Sequence, residues 1–92
     1  MTLPLHFTAT FAELYEHLPA PDFGNVNDAL DELEEGHDRP EMRNVIHVGP
    51  AVLLATRRIY SPGGVYRITW QYDDRDHPTT AVVCITVASV ET

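Results

Sequence analysis

The chain has 92 residues, 43% of them hydrophobic, and sets 14 acidic against 6 basic side chains for a formal net charge of −8. That length accommodates one domain around one core, here residues 1–92. A single cysteine excludes an intrachain disulfide and any thiolate-based zinc site, and the acidic balance excludes long-range attraction of the whole molecule to nucleic acid.

The charge is unevenly spread. Residues 1–41 carry a net −9, residues 42–72 a net +4 with no acid at all, and residues 73–92 a net −3. All basic side chains are arginines: Arg39, Arg43, Arg57, Arg58, Arg67 and Arg75. The basic middle third is therefore the one stretch suited to an anion.

In chain order, Leu3, Leu5 and Phe7 alternate with Pro4, His6 and Thr8, which predicts a short first strand with Pro4 at its start or edge. Thr10 and Glu13 have capping-box spacing. Phe11, Leu14, Tyr15 and Leu18 then fall on one helical face, ended by Pro19 and Pro21. After a Gly24-Asn25 turn, with Asn25 or Asn27 as cap, Val26, Ala29, Leu30 and Leu33 repeat that spacing. Gly36 is the stop. The opposite face carries Asp28, Asp31, Glu32, Glu34 and Glu35, expected in solvent or against a basic partner.

From Arg43 the period changes from 3.6 to 2. Val45 to Val48 reads as a strand broken by Gly49-Pro50, and Val52 to Tyr60 as the next. Ser61-Pro62-Gly63-Gly64 reads as a hairpin turn. In Val65 to Tyr72, Tyr66, Ile68, Trp70 and Tyr72 face one way and Arg67, Thr69 and Gln71 the other. A polar turn over Asp73 to Pro78 and a final strand over Ala81 to Val90 complete the order β-α-α-β-β-β. This is an α+β fold with two helices on one face of an antiparallel sheet, and the helices' apolar faces are expected against Ile68 and Trp70. Cys84, within an apolar run, is expected to be a buried hydrophobe. The first residues lack the basic start and apolar core of a signal peptide, and no apolar run reaches the ~20 residues of a membrane span, so the expected location is the cytoplasm.

The order of elements, together with the stretch Arg57-Arg58-Ile59-Tyr60-Ser61-Pro62-Gly63-Gly64-Val65-Tyr66-Arg67-Ile68-Thr69-Trp70-Gln71-Tyr72-Asp73-Asp74, resembles the RelE/ParE superfamily of type II toxin–antitoxin toxins. The segment Val26-Asn27-Asp28-Ala29-Leu30-Asp31-Glu32-Leu33 is similar to that family's second helix. The resemblance implies a cytoplasmic toxin bound by a cognate antitoxin. RelE-like members cleave mRNA on the ribosome without metal or cofactor, through attack of the RNA's own 2′-OH; ParE-like members poison gyrase. Carried over by position, Arg67 matches the family's strand arginine, and Arg57 or Arg58 the preceding basic strand. Alternation allows only one of these two to share a face with Arg67. Val87 to Thr92 departs from the pattern, having no Arg, His, Tyr or Lys. His47 and His77 are then the nearest proton-transfer candidates, each reading more simply as a structural or solvated residue. Three readings stand: a RelE-like endoribonuclease using Arg67 with Arg58 or Arg57, a ParE-like toxin acting on a protein target, and a binding module of the same fold.

Overall fold

The computed structural model describes residues 2–74 and 81–89, running β1 (Leu5–Phe7), α1 (Ala9–Glu16), α2 (Ala20–Gly36), a single 3₁₀ turn (Pro40–Met42), β2 (Asn44–Val48), β3 (Ala51–Ala55), β4 (Ile59–Ser61), β5 (Gly64–Tyr72) and β6 (Val82–Ser89). The strands form one sheet in the order β1-β6-β5-β3-β2, with β4 also paired to β5. β1 joins β6 in parallel and every other pairing is antiparallel. The expected α+β order is the observed one, with two differences. The first strand makes the sheet mixed, and the segment expected as one strand over Val52 to Tyr60 is two, β3 and β4.

Both helices pack on one face of the sheet, α1 against β1 and β6, α2 against β4. Phe11, Val26, Ala29, Leu30 and Leu33 from the helices meet Met42, Ile59, Ile68, Trp70, Val82, Cys84 and Val87 in one core, with Leu18 packed at its margin. Leu14 departs from expectation and stands 39% exposed. The buried edge of α1 runs instead through an aromatic ladder, in which Phe11 stacks on Tyr15 at 5.9 Å between centroids and Phe7 covers Phe11 at 4.5 Å. Cys84 is fully buried, and burial pushes its thiol pKa up to about 12, which leaves it unreactive.

Both helix starts differ from the sequence reading. Thr8, not Thr10, caps α1: its Oγ1 accepts from the Phe11 N–H at 3.1 Å and donates to the Ile85 carbonyl at 3.0 Å. Cross-strand anchoring thus chooses between two threonines that are equally good caps locally. α2 begins at Ala20, so Gly24 and Asn25 lie inside it. Pro21 occupies its first turn, where a missing N–H costs no helical hydrogen bond. The prolines expected to separate the helices therefore start the second one. Asn25 caps nothing and donates to Ser61 Oγ at 3.0 Å.

That early start places Asp22 under the β4–β5 turn, where it is fully buried. Its carboxylate accepts from Ser61 Oγ at 2.6 Å, Gly63 N–H at 2.9 Å and Tyr66 Oη at 2.6 Å. A Cβ on Gly63 would collide with Asp22 Oδ2, so the turn needs glycine for close approach. The hydrogen bonds from Ser61, then Tyr66, then Gly63 hold the Asp22 pKa below its ordinary 3.8 against the opposing effect of burial. A lowered folded-state pKa stabilises the fold above the unfolded value, and that stability is lost as pH falls through the folded pKa. Thermal stability of the wild type should therefore fall as pH drops below 3.8. Asp22→Asn should melt lower at neutral pH, with a shallower acid dependence. Parallel acid limbs for the two proteins would show that other carboxylates set it.

Candidate functional site

The site follows from how the chain passes from β3 to β4. Ala55 opposes Thr69 and Ile59 opposes Tyr66, so four steps along one side match three along the other. This insertion of one residue is a bulge. Buried Thr56 holds it: its N–H donates to the Ile68 carbonyl at 3.0 Å, and its Oγ1 accepts from the Ile68 N–H at 3.2 Å while donating to the Arg57 carbonyl at 2.9 Å. In the register before the bulge Arg57 would oppose Arg67. In the register after it, continued one residue back from Ile59–Tyr66, Arg58 does.

The two arginines separate accordingly. Arg57 turns to the helices, where its Nε donates to Glu32 Oε2 at 2.7 Å and its Nη2 to Glu32 Oε1 at 3.1 Å. This hydrogen-bonded pairing lowers the Glu32 pKa and raises that of Arg57. Glu32 is thus drawn out of the acidic stripe of α2, whereas Asp28, Asp31 and Glu35 remain exposed. Arg58 is exposed. On β5, Tyr66, Ile68 and Trp70 are buried toward the helices while Arg67 projects from the open face across from Ala88. The Arg67 Nε is shielded from solvent and has no hydrogen-bond partner among the described residues. That one N–H carries a desolvation cost that an acceptor reaching it would relieve, while the rest of the half-buried guanidinium is not so enclosed.

Tyr60 completes this face. It pairs with Val65, whose side chain alternates in phase with Arg67, and it stands 68% exposed. Sequence reasoning placed Tyr60 within a strand and gave it no role. The signal that could have found it is its position two residues from Arg58, a spacing that in extended chain puts both on one face. Thr69 and Thr86, hydrogen-bonded across β5 and β6, floor the same face. By register Arg58 and Tyr60 fall on the side of Arg67, whereas Arg57 is held by Glu32.

The histidine candidates lie elsewhere. His47 is exposed on edge strand β2 and pairs with Val52, in phase with the face that carries Trp70 and away from Arg67. His77 and Val90 to Thr92 lie outside the described residues.

Comparison with known proteins gives one consistent result. No protein-family model matches the chain, and no curated protein does. Solved structures do. An arginine-to-alanine double mutant of E. coli toxin RelE in the free state superposes with a TM-score of 0.67 at 18% identity, covering 97% of this chain and 84% of that one. The intact E. coli RelBE toxin–antitoxin complex gives 0.65 at 20% identity over 98% and 99% of the two chains. The archaeal RelE–RelB complex of Pyrococcus horikoshii OT3 gives 0.63 at 17% over 97% and 96%. The chain has the fold of the RelE toxins over nearly its whole length, and the resemblance seen in its sequence is met at the level of the fold.

Proposed function

We propose that this chain is the toxin of a type II toxin–antitoxin pair, acting in the cytoplasm as a metal-independent, ribosome-dependent mRNA endoribonuclease of the RelE kind, and neutralised by a cognate antitoxin. The observation that carries the reading is the open face, where the shielded Arg67 Nε–H has no partner among the described residues and the β4–β5 register, extended by one residue, sets Arg58 opposite. Phosphoryl chemistry through an internal 2′-OH requires positive charge where the phosphorane develops, and Arg67 on β5 with Arg58 just before β4 would supply it. Tyr60, exposed on the same face, offers a ring on which a flanking base can stack. The RelE fold supports the toxin class, and the solved complexes of its neighbours with RelB proteins support an antitoxin as partner.

The net charge of −8 weakens general attraction to RNA, so the substrate must be delivered to this one face. A ribosome holding mRNA in its decoding site does that. The test is inducible expression without the antitoxin, followed by mapping of new mRNA 5′ ends against ribosome position. Arrest with new ends at the decoding site supports the reading. Arrest without new ends transfers it to a ParE-like protein target. Normal growth at high expression leaves a binding module.

A further inference from the structure

At the far end of the sheet from the β4–β5 turn, two neighbouring strands part. β3 and β5 pair only at Leu54–Trp70 and Ala55–Thr69. Among the described residues, beyond that point Ala51, Val52 and Leu53 pair only with β2, and Gln71 and Tyr72 only with β6, so the two strands part in a fork. The fork holds a pocket of about 190 Å³ lined by Arg43, Val52, Leu53, Leu54, Gln71 and Tyr72. One wall is rigid: the Tyr72 hydroxyl is hydrogen-bonded to His37 Nδ1 at 2.9 Å, and its ring meets the Trp70 ring edge-on at 5.1 Å. The Arg43 guanidinium lies 5.8 Å above the Tyr72 ring and has no carboxylate partner among the described residues. Next to the pocket, Val52 and Val45 on the same face are 43% and 61% exposed.

We propose that this fork receives an extended segment of a partner protein, with one large apolar side chain in the pocket, an adjacent carboxylate on Arg43, and the segment's backbone on the free strand edges. Each part answers something the fork leaves unsatisfied. The volume is that of one side chain, smaller than the ~300 Å³ at which small-molecule sites begin. The cation stands over an aromatic ring without a salt-bridge partner among the described residues, Asp38 acting on Tyr72 only at longer range, and a carboxylate would complete it. The open backbone favours strand addition, in which main-chain hydrogen bonds give affinity and side-chain pockets give specificity. A nucleotide fits less well, since half of the described lining is aliphatic and Arg43 is the one cation in it. A second copy would bring its own formal −8 against an equal charge. The inference extends the antitoxin reading by naming the chemistry of one segment such a partner would present. Its test requires neither toxicity nor the antitoxin.

The probes are two short peptides, acetyl-Val-Leu-Glu-Val-amide and acetyl-Val-Leu-Lys-Val-amide, titrated into the full ¹⁵N-labelled chain at low salt. The acidic peptide should shift the Leu53, Leu54, Gln71 and Tyr72 amides and bind roughly three- to fivefold more tightly than the basic one, the ratio expected of one exposed ion pair. Arg43→Glu should reverse that preference, and Leu54→Asp, if folded by its amide spectrum, should abolish binding of both. Equal binding of the two peptides, shifts confined to other residues, or stronger shifts of the same amides by adenosine monophosphate would overturn the proposal. Growth arrest without peptide binding would sink the fork and spare the toxin reading; peptide binding without growth arrest would do the reverse.

Discussion

Arg67→Ala is expected to relieve growth arrest and to reduce mRNA cleavage by roughly 10²-fold or more, with the fold intact. The magnitude is that of removing one preorganised donor from a developing anionic charge. What separates this from ordinary loss of function is the direction of the stability change. The Nε of Arg67 is buried without a hydrogen-bond acceptor among the described residues, which carries a desolvation cost in the folded chain. Removing the guanidinium removes that cost, so the variant should change in stability by less than about 1 kcal/mol, and upward if anything. Arg57→Ala supplies the contrast. It breaks the bidentate pair with Glu32, so it should lower the melting temperature and leave cleavage nearly unchanged. Chemical denaturation beside the growth assay reads both. An inactive Arg67 variant that is also strongly destabilised would mean the side chain supports the fold rather than a phosphate.

The largest structural effect is expected at Trp70. Its side chain is fully buried, its indole N–H donates to the Met42 carbonyl at 2.8 Å, and it packs edge-on against Tyr72. Replacing a buried aromatic of this size by alanine costs about 3–5 kcal/mol. Small domains are stable by only about 5–15 kcal/mol in total. Trp70→Ala should therefore leave a chain that is largely unfolded or molten at 37 °C, with circular dichroism showing a broad transition or none. Trp70→Phe keeps most of the buried area but orphans the Met42 carbonyl, a loss of about 1–3 kcal/mol, and should remain folded. Trp70 is the single tryptophan, so wild-type unfolding can be followed by its emission alone. A cooperative, wild-type-like transition for the alanine variant would show that the core repacks more freely than its geometry indicates.

The periodic parts of this fold were legible from residues alone. The helix-facing set Tyr66, Ile68 and Trp70 and the buried stripe Val26, Ala29, Leu30 and Leu33 fall where alternation and 3.6-residue spacing put them. Legibility stopped at positions decided by distant partners. Thr8 displaces Thr10 as a cap because Ile85 is within reach of its hydroxyl, and Asp22 becomes a buried anchor because the β4–β5 turn lies over it. The site shows the same limit. Sequence reduced the basic pair to one partner for Arg67, but the choice rests on a single inserted residue beside Thr56, which alternation cannot reveal. Tyr60 was missed although its two-residue spacing from Arg58 marked it, because an exposed aromatic on a short strand reads first as an ordinary strand residue.

The parallel pairing of β1 with β6 has a kinetic meaning. Leu5, His6 and Phe7 find their partners at Val82, Val83 and Cys84, and the cap of α1 is completed only by the Ile85 carbonyl. Contacts so distant in sequence form late, because a long loop must close before any of them is rewarded. A nascent chain emerging from the ribosome can build the β2–β3 hairpin and the β4–β5 turn early, but β1 waits at the margin until nearly everything after it has been made. Until then α1 has an unfinished cap, and β5, with its Arg67, lacks the neighbour that flattens it into a binding face. The open face of β5 is thus complete only once β6 has docked beside it.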